Sequence, residues 1–201
     1  MARSTRKPTR AGGPDREGDY LAGQVLIAMP SMQDPHFAHA VICVCAHTRE
    51  GAMGILLNRP IANLSFDDLL KQLSLQPVPP QRRIRMHSGG PVDGSRGFVL
   101  HTADWTSDQS LQVTEDLALT ASVDILKAIA EGGGPRQGIL ALGYAGWRPG
   151  QLEAEIQRNA WLSVPADEAL VFGPEHEGKW RLAMAKLKVD PLLLSDAAGH
   201  A

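Results

Sequence analysis

Two apolar runs, Val41–His47 and Ala52–Asn58, flank the short connection Thr48-Arg49-Glu50-Gly51, and no other feature of the chain constrains its fold as strongly. Both runs are rich in small and β-branched apolar residues, and a brief polar link ending in glycine is a hairpin signal. Two antiparallel strands are therefore expected. Along the first of them, residues two apart share a face, which groups Cys43, Cys45 and His47 against Ile42 and Val44. A zinc site on that face conflicts with geometry. Strand neighbours at i and i+2 lie roughly 6.5–7 Å apart, whereas two thiolates on one zinc sit under about 4 Å apart. Buried small apolar residues are the reading that fits Cys43 and Cys45, with a thiol redox switch as the alternative.

Further elements follow from similar local signals. Gln24–Met29 reads as an apolar strand stopped by Pro30, with a loop from Ser31 to His39. Ser65 caps a helix whose first turn carries Asp67 and Asp68 and whose apolar face is Phe66, Leu69, Leu70 and Leu73; Pro77, Pro79 and Pro80 end it. Ile84–His87 is extended, Ser88–Gly97 is turn-rich, and Phe98–His101 is a strand. Shorter extended pieces are expected at Leu111–Val113 and Leu117–Leu119. Ser122 caps a helix reaching Ile129, and Gly132–Gly134 closes it. Ile139–Leu142 is wholly apolar, as in a strand buried on both faces. The chain then turns through Gly143–Trp147 and enters a helix at Pro149, with Leu152, Ile156 and Ala160 as its stripe. A last pair of helices is signalled after Leu170–Phe172 by Trp180, Ala183, Met184 and Leu187, and by Asp190-Pro191.

Strands early and helices late predict an α+β or α/β fold: a compact mixed-sheet sandwich with surrounding helices. At 201 residues one such domain is expected, over 20–201. Residues 1–19 read as a disordered basic arm, since Arg3, Arg6, Lys7 and Arg10 precede the first acid and only Met1, Ala2 and Ala11 are apolar. The formal net charge is -2, which removes any global drive toward nucleic acid. The folded part has no zinc finger, basic stripe or clear helix-turn-helix signature, so direct DNA contact is disfavoured. No run approaches the ~18 apolar residues of a membrane span, and a cytoplasmic protein is expected.

Catalytic constellations are poorly represented. Ser88 follows His87, but adjacent strand residues point to opposite faces, and no Gly-x-Ser-x-Gly elbow surrounds the serine. His36, His39 and Asp34 match no established metal-ligand spacing. Asp67 with Asp68, and Glu153 with Glu155, suit helix N-terminal charge placement. The glycine-rich segment Ser88–Gly97 can present backbone N–H groups to an anion with Arg96 beside it, though it matches neither the P-loop nor the dinucleotide fingerprint. Tyr144 and Trp147, set among Gly143, Gly146 and Gly150 next to Arg148 and Gln151, form the most unusual stretch; aromatic rings on a rigid turn are suited to holding a ligand or partner.

These blocks together resemble the AlgH/YqgE family of bacterial proteins, from about Leu21 to Ala201. The carriers are Leu26–Pro30, Asp34-Pro35 with Phe37, Cys45 with His47, Gly51–Gly54 with Asn58 and Pro60, Gly89–Val92, Arg96–His101, Ala141–Trp147, Gly150–Glu153, Asn159–Leu162 and Gly199–Ala201. Ala40 stands where the family often has serine, and Ala46 where an acid is common. The resemblance implies an α/β sandwich in a cytosolic bacterial protein, labelled a transcriptional regulator without a DNA-binding module, so that regulation is indirect. A non-enzymatic binding or regulatory protein is the function expected, acting on a protein partner or small molecule and needing no cofactor or metal. Its shallow cleft is framed by Asp34, Pro35, Phe37, Asn58, Gly89, Gly90, Pro91, Arg96, Tyr144, Trp147 and Gln151. The alternative is an enzyme or sensor that binds a phosphate-bearing small molecule at the glycine-rich turn.

Overall fold

The computed structural model describes residues 21–78, 84–188 and 194; the basic arm, Pro79, Pro80, Asp190-Pro191 and the closing Gly199–Ala201 lie outside them. The expected hairpin forms. Strand β2 (Val41–Thr48) follows β1 (Gln24–Ala28) and pairs antiparallel with β3 (Gly51–Leu56), Thr48 opposite Gly51. Only Arg49 and Glu50 connect them, with Glu50 N donating to Thr48 Oγ1.

The hairpin register slips between Val44 and Ala46. Such a bulge inserts one residue into one strand and reverses the alternation beyond it. His47 pairs with Ala52 and Val44 with Gly54, and because Ala52 and Gly54 share a face, so do His47 and Val44. The expected grouping of His47 with Cys43 and Cys45 is thus corrected. Nothing in a period-two reading announces the extra residue.

The sheet has nine strands in the order β6-β7-β5-β8-β3-β2-β1-β9, with β4 paired to β8 off that path. Here β4 is Arg85–Ser88, β5 Val92–Thr102, β6 Ser110–Gln112, β7 Leu117–Thr120, β8 Gly138–Trp147 and β9 Trp161–Pro165. Among the described strands only the β4–β8 pair is parallel, so the sheet is mixed and chiefly antiparallel. Ile139–Leu142 of β8 lies between β4 and β5, while Ala145–Trp147 pairs with β3. The changeover is Gly143, at φ +74°, where an added Cβ would sit 2.6 Å from Gly90 O and 2.8 Å from Val92 O. The left-handed residue curls the sheet and shifts the alternation by one. Ala141 and Tyr144 pack on one face, Ala145 and Trp147 on the other.

Two expectations are corrected here. The segment Gly143–Trp147 is the second half of a strand, and the second half of Ser88–Gly97 is the start of one. Val92 pairs with Tyr144 and Gly97 with Leu142, so the four residues between them bulge outward over Gly143. Turn-forming residues here serve a bend within strands.

Helices cover both faces. One face of the curled sheet packs on α4 (Glu168–Phe172) and α5 (Lys179–Lys186) through Leu170, Val171, Phe172, Trp180, Ala183 and Met184. The other face carries α3 (Gln151–Gln157) over Ile42, Val44 and Trp147, and next to it α1 (Phe66–Gln72) and α2 (Val123–Ala130) over Val99 and Leu140. Ser65 closes a capping box with Asp68, and those hydrogen bonds hold the Asp68 carboxyl below its ordinary range. Ser122 makes no capping bond, and α3 starts from Gly150 in the left-handed region rather than from Pro149.

Candidate functional site

The residues expected to frame one cleft divide between the two faces of the sheet. Phe37 and Trp147 lie on the α3 face and are joined, with Gln151 of α3, through Trp161 and Glu155. The Phe37 ring lies edge-on to Trp161 at 5.8 Å, and Trp161 edge-on to Trp147 at 6.1 Å. Glu155 Oε2 accepts from both indole N–H groups, at 2.9 and 2.8 Å, while its Oε1 accepts from Gln151 Nε2. Trp147 is only 6% exposed, so it is a core residue and no open anchor. Asp34 and Pro35 are exposed, Asp34 accepting from His36 N. Asn58 is buried and works as a staple, accepting from Val41 N and donating to His39 O.

On the opposite face Tyr144 meets the edge of Phe98 at 5.8 Å, and the Arg96 guanidinium lies over the same ring. Gly89 joins the two halves of the sheet: its carbonyl accepts from Leu56 N and its N–H donates to Leu142 O. Gly90 is pressed on Tyr144, and Pro91 is exposed. Trp147 and Tyr144 fall on opposite faces because they stand three residues apart on one strand, an odd spacing, and this is why a cleft shared by both does not form. Cys43 and Cys45 are free and buried. Cys45 Sγ points at the Cys43 carbonyl, and its contact with Cys43 together with burial pushes its thiol up from the ordinary range, opposite to what a reactive thiolate needs.

Perturbed groups collect elsewhere, where β4 meets α4 and α5. Asp167 caps α4, which is short and leaves its last carbonyls unpaired within the helix. Two cations satisfy them. Lys179, 2% exposed, donates Nζ to the carbonyls of Leu170 (2.6 Å), Gly173 (3.1 Å) and Val171 (3.4 Å). Arg85 donates to Phe172 O and Gly173 O, each at 3.2 Å. The negative end of a helix favours such cations. Burial, and then Arg85, lower the Lys179 pKa to about 8.

A histidine pair adjoins them. His87 is wholly buried on β4, with its Nε2 3.2 Å from His176 Nδ1, and Arg85 Nη1 lies 3.4 Å from His176 Nε2. A guanidinium can only donate, so His176 Nε2 accepts, its Nδ1 carries the proton, and His87 Nε2 accepts in turn. Burial, then His176, Lys179 and Arg85, lower the His87 pKa to about 4. His176 is lowered by burial, Arg85 and Lys179, against the Leu57 carbonyl and Glu175.

Beside this cluster a cavity of about 400 Å³ opens between α4 and α5. Leu170, Pro174, Leu182 and Ala185 give it an apolar lining, with Lys179, Glu175 and Lys186 at its polar edges. Leu182 is 51% exposed, an apolar side chain left in the open. Among the described residues no three His, Cys, Asp or Glu are placed to hold a metal ion, and no helix is long and apolar enough to cross a membrane.

A family model described as AlgH-like matches residues 25–192. The chain belongs to the AlgH-like family. A UPF0301 protein of Rhodopseudomonas palustris is 52% identical over 99% of this chain and 94% of its own length, and one of Rhodospirillum rubrum is 52% identical over 90% and 95%. The solution structure of the AlgH protein from Pseudomonas aeruginosa is 44% identical and superposes with a TM-score of 0.72 over 96% of this chain and all of that one. A Corynebacterium diphtheriae protein, 24% identical with a TM-score of 0.68 over 87% and 91%, shares the fold. The expected α/β sandwich and family are thus shown together.

Local sequence gives little sign of Arg85, His176 and Lys179 in this AlgH-like protein. Arg85 sits in a short strand, and Gly173–Trp180 looks like an ordinary polar loop leading into a helix. The one available signal was a charged residue, Lys179, beside an apolar helix face bearing Trp180, Ala183 and Met184.

Proposed function

We propose that this AlgH-like protein is a non-enzymatic binding protein whose ligand seat is the cavity between α4 and α5. The observation that carries the reading is the cavity itself. Its volume of about 400 Å³ falls within the usual range for ligand sites, and its mainly apolar lining includes one group with a displaced pKa, Lys179. The occupant fitted by such walls is a small amphipathic molecule, or an apolar side chain presented by a partner next to a polar group. A regulatory effect, including one on transcription, would then be indirect and follow from occupancy.

The potential nucleophiles favour binding over catalysis. Ser88 is exposed while the His87 ring is buried, so the two point apart, and both thiols are enclosed.

Exposed Ala169 lines the cavity, and Ala169→Trp is expected to fill it while leaving the core untouched. In protein-observed NMR with a library of small amphiphilic acids and aromatics, hits should shift the amides of Leu182 and Ala185. The variant should lose at least ~10-fold in affinity for them, and a hit at 100 times its dissociation constant should stabilise the wild type by about 2.7 kcal/mol. Hits that map elsewhere, or that bind Ala169→Trp undiminished, would overturn the assignment.

A further inference from the structure

We propose that the His87–His176 contact is a proton-operated latch: taking up a proton at the pair breaks one of the two holds of β4 on the Gly173–Gly178 turn and loosens one wall of the α4–α5 cavity. Its geometry rests on the contacts alone, and its consequence for occupancy rests on the binding reading above.

The turn joins α4 to α5 and supplies Gly173, Pro174 and Glu175 to the cavity wall. Side chains of β4 hold it in two ways. Arg85 donates to the Phe172 and Gly173 carbonyls, and His87 receives the His176 ring at 3.2 Å, edge-on with centroids 4.8 Å apart. Both rings are neutral in this arrangement, since each uses one nitrogen as acceptor. A proton added to His176 must go on Nε2, which faces the Arg85 guanidinium at 3.4 Å, and donor would then meet donor. A proton added to His87 must go on its Nε2, against the His176 Nδ1–H. Either event breaks one link of the chain.

Surrounding charge resists the proton as well. Among the described residues the pair faces Arg85 from β4, Lys179 from α5 and the acid Glu175 from the turn. The Leu57–Pro60 segment on the remaining side offers backbone, the Leu57 carbonyl to His176 and a bridge from Pro60 to His87, while the Arg59 guanidinium turns to Ala38 and Asn58 carbonyls. A further positive charge would join the exposed Arg85 and the buried Lys179, and on His87 it would also be buried.

The direction follows from linkage. The folded values are lowered from 6.5, to about 4 for His87, so the closed turn is favoured above pH 6.5 and that preference is lost as pH falls toward 4. For a ring that regains its ordinary value on opening, the opening equilibrium grows about thirtyfold between pH 7.5 and pH 5.

Hydrogen exchange of the full chain at pH 7.5 and pH 5.0, corrected for intrinsic rates, reads this directly. Amides within 173–180 are expected to lose at least ~10-fold in protection at pH 5.0 while β2 and β3 keep theirs. Asparagine can turn either an N–H or a carbonyl toward His87, so His176→Asn removes one titrating ring and its clash, while burial and Lys179 still oppose a proton on His87; the variant should therefore lose less protection than wild type between the two pH values. Equal protection of the wild-type turn at both pH values would overturn the latch, as would a variant that loses protection to the same degree. Independently of any variant, NMR titration of the wild-type imidazole protons must place both midpoints below 6.5; a His87 or His176 midpoint at or above that value also overturns it. No ligand enters these measurements, so an empty cavity and an absent latch give separate results.

Discussion

Replacing Gly90 with alanine is expected to keep this chain from reaching its native fold in useful yield. Gly90 has φ +152°, and an added Cβ would stand 2.1 Å from Tyr144 C, 2.2 Å from Tyr144 O and 2.3 Å from Ala145 N. All three atoms belong to the backbone of β8, which is held by β3, β4 and β5 and cannot give way. Backbone overlap in a left-handed conformation combines two large destabilising causes, and a loss above ~4 kcal/mol consumes most of a typical domain stability of about 5–15 kcal/mol. Gly94 supplies the control. It lies in the same glycine-rich segment, is exposed, and has nothing within 4 Å of an added Cβ; Gly94→Ala should change stability by less than ~0.5 kcal/mol. Soluble yield and thermal melting followed by circular dichroism compare the two, and a Gly90→Ala protein melting within a few degrees of wild type would show that β8 is far more compliant than described.

Glu155→Ala should cost about 3–5 kcal/mol. The carboxylate accepts from Trp147 Nε1, Trp161 Nε1 and Gln151 Nε2, and the two indoles are 6% and 3% exposed. Removing the acceptor leaves two buried N–H groups with no partner, each worth roughly 1–3 kcal/mol. For a domain of this size 1 kcal/mol moves the melting temperature by about 2–4 °C, so a fall of about 10 °C is expected. Glu155→Gln keeps one carbonyl oxygen to face the indoles and should lose less than half as much. Near-ultraviolet circular dichroism reports the Trp147–Trp161 pair in the same experiment. A Glu155→Ala melt within ~2 °C of wild type would mean that packing of Leu152, and not these hydrogen bonds, holds α3 to the sheet.

Elements whose cause is local were legible in advance. The β2–β3 hairpin, the Ser65 cap and the amphipathic α2 each depend on residues a few positions apart, and each formed where expected. Strand β9 has no clear local signal, because Trp161–Pro165 is short and mixed in pattern and becomes a strand by pairing along its whole length with β1. Val92–Gly97 reads as turn because glycine, aspartate and serine favour turns, whereas β8 imposes pairing at both ends of that segment. Period-two alternation puts His47 on the wrong face because a single bulged residue reverses it without altering composition.

From the sequence alone come the family, the α/β class and the positions at which the backbone must bend, because turn chemistry and hydrophobic period act over a few residues. The tertiary structure decided which bends lie within strands, that Tyr144 and Trp147 look in opposite directions, and that Arg85, His87, His176 and Lys179 gather at one end of α4. His87 and His176 are 89 residues apart, and Arg85 reaches a carbonyl 88 residues away. Contacts over such separations depend on how a curled sheet brings β4 under the α4–α5 turn, and no local pattern encodes that.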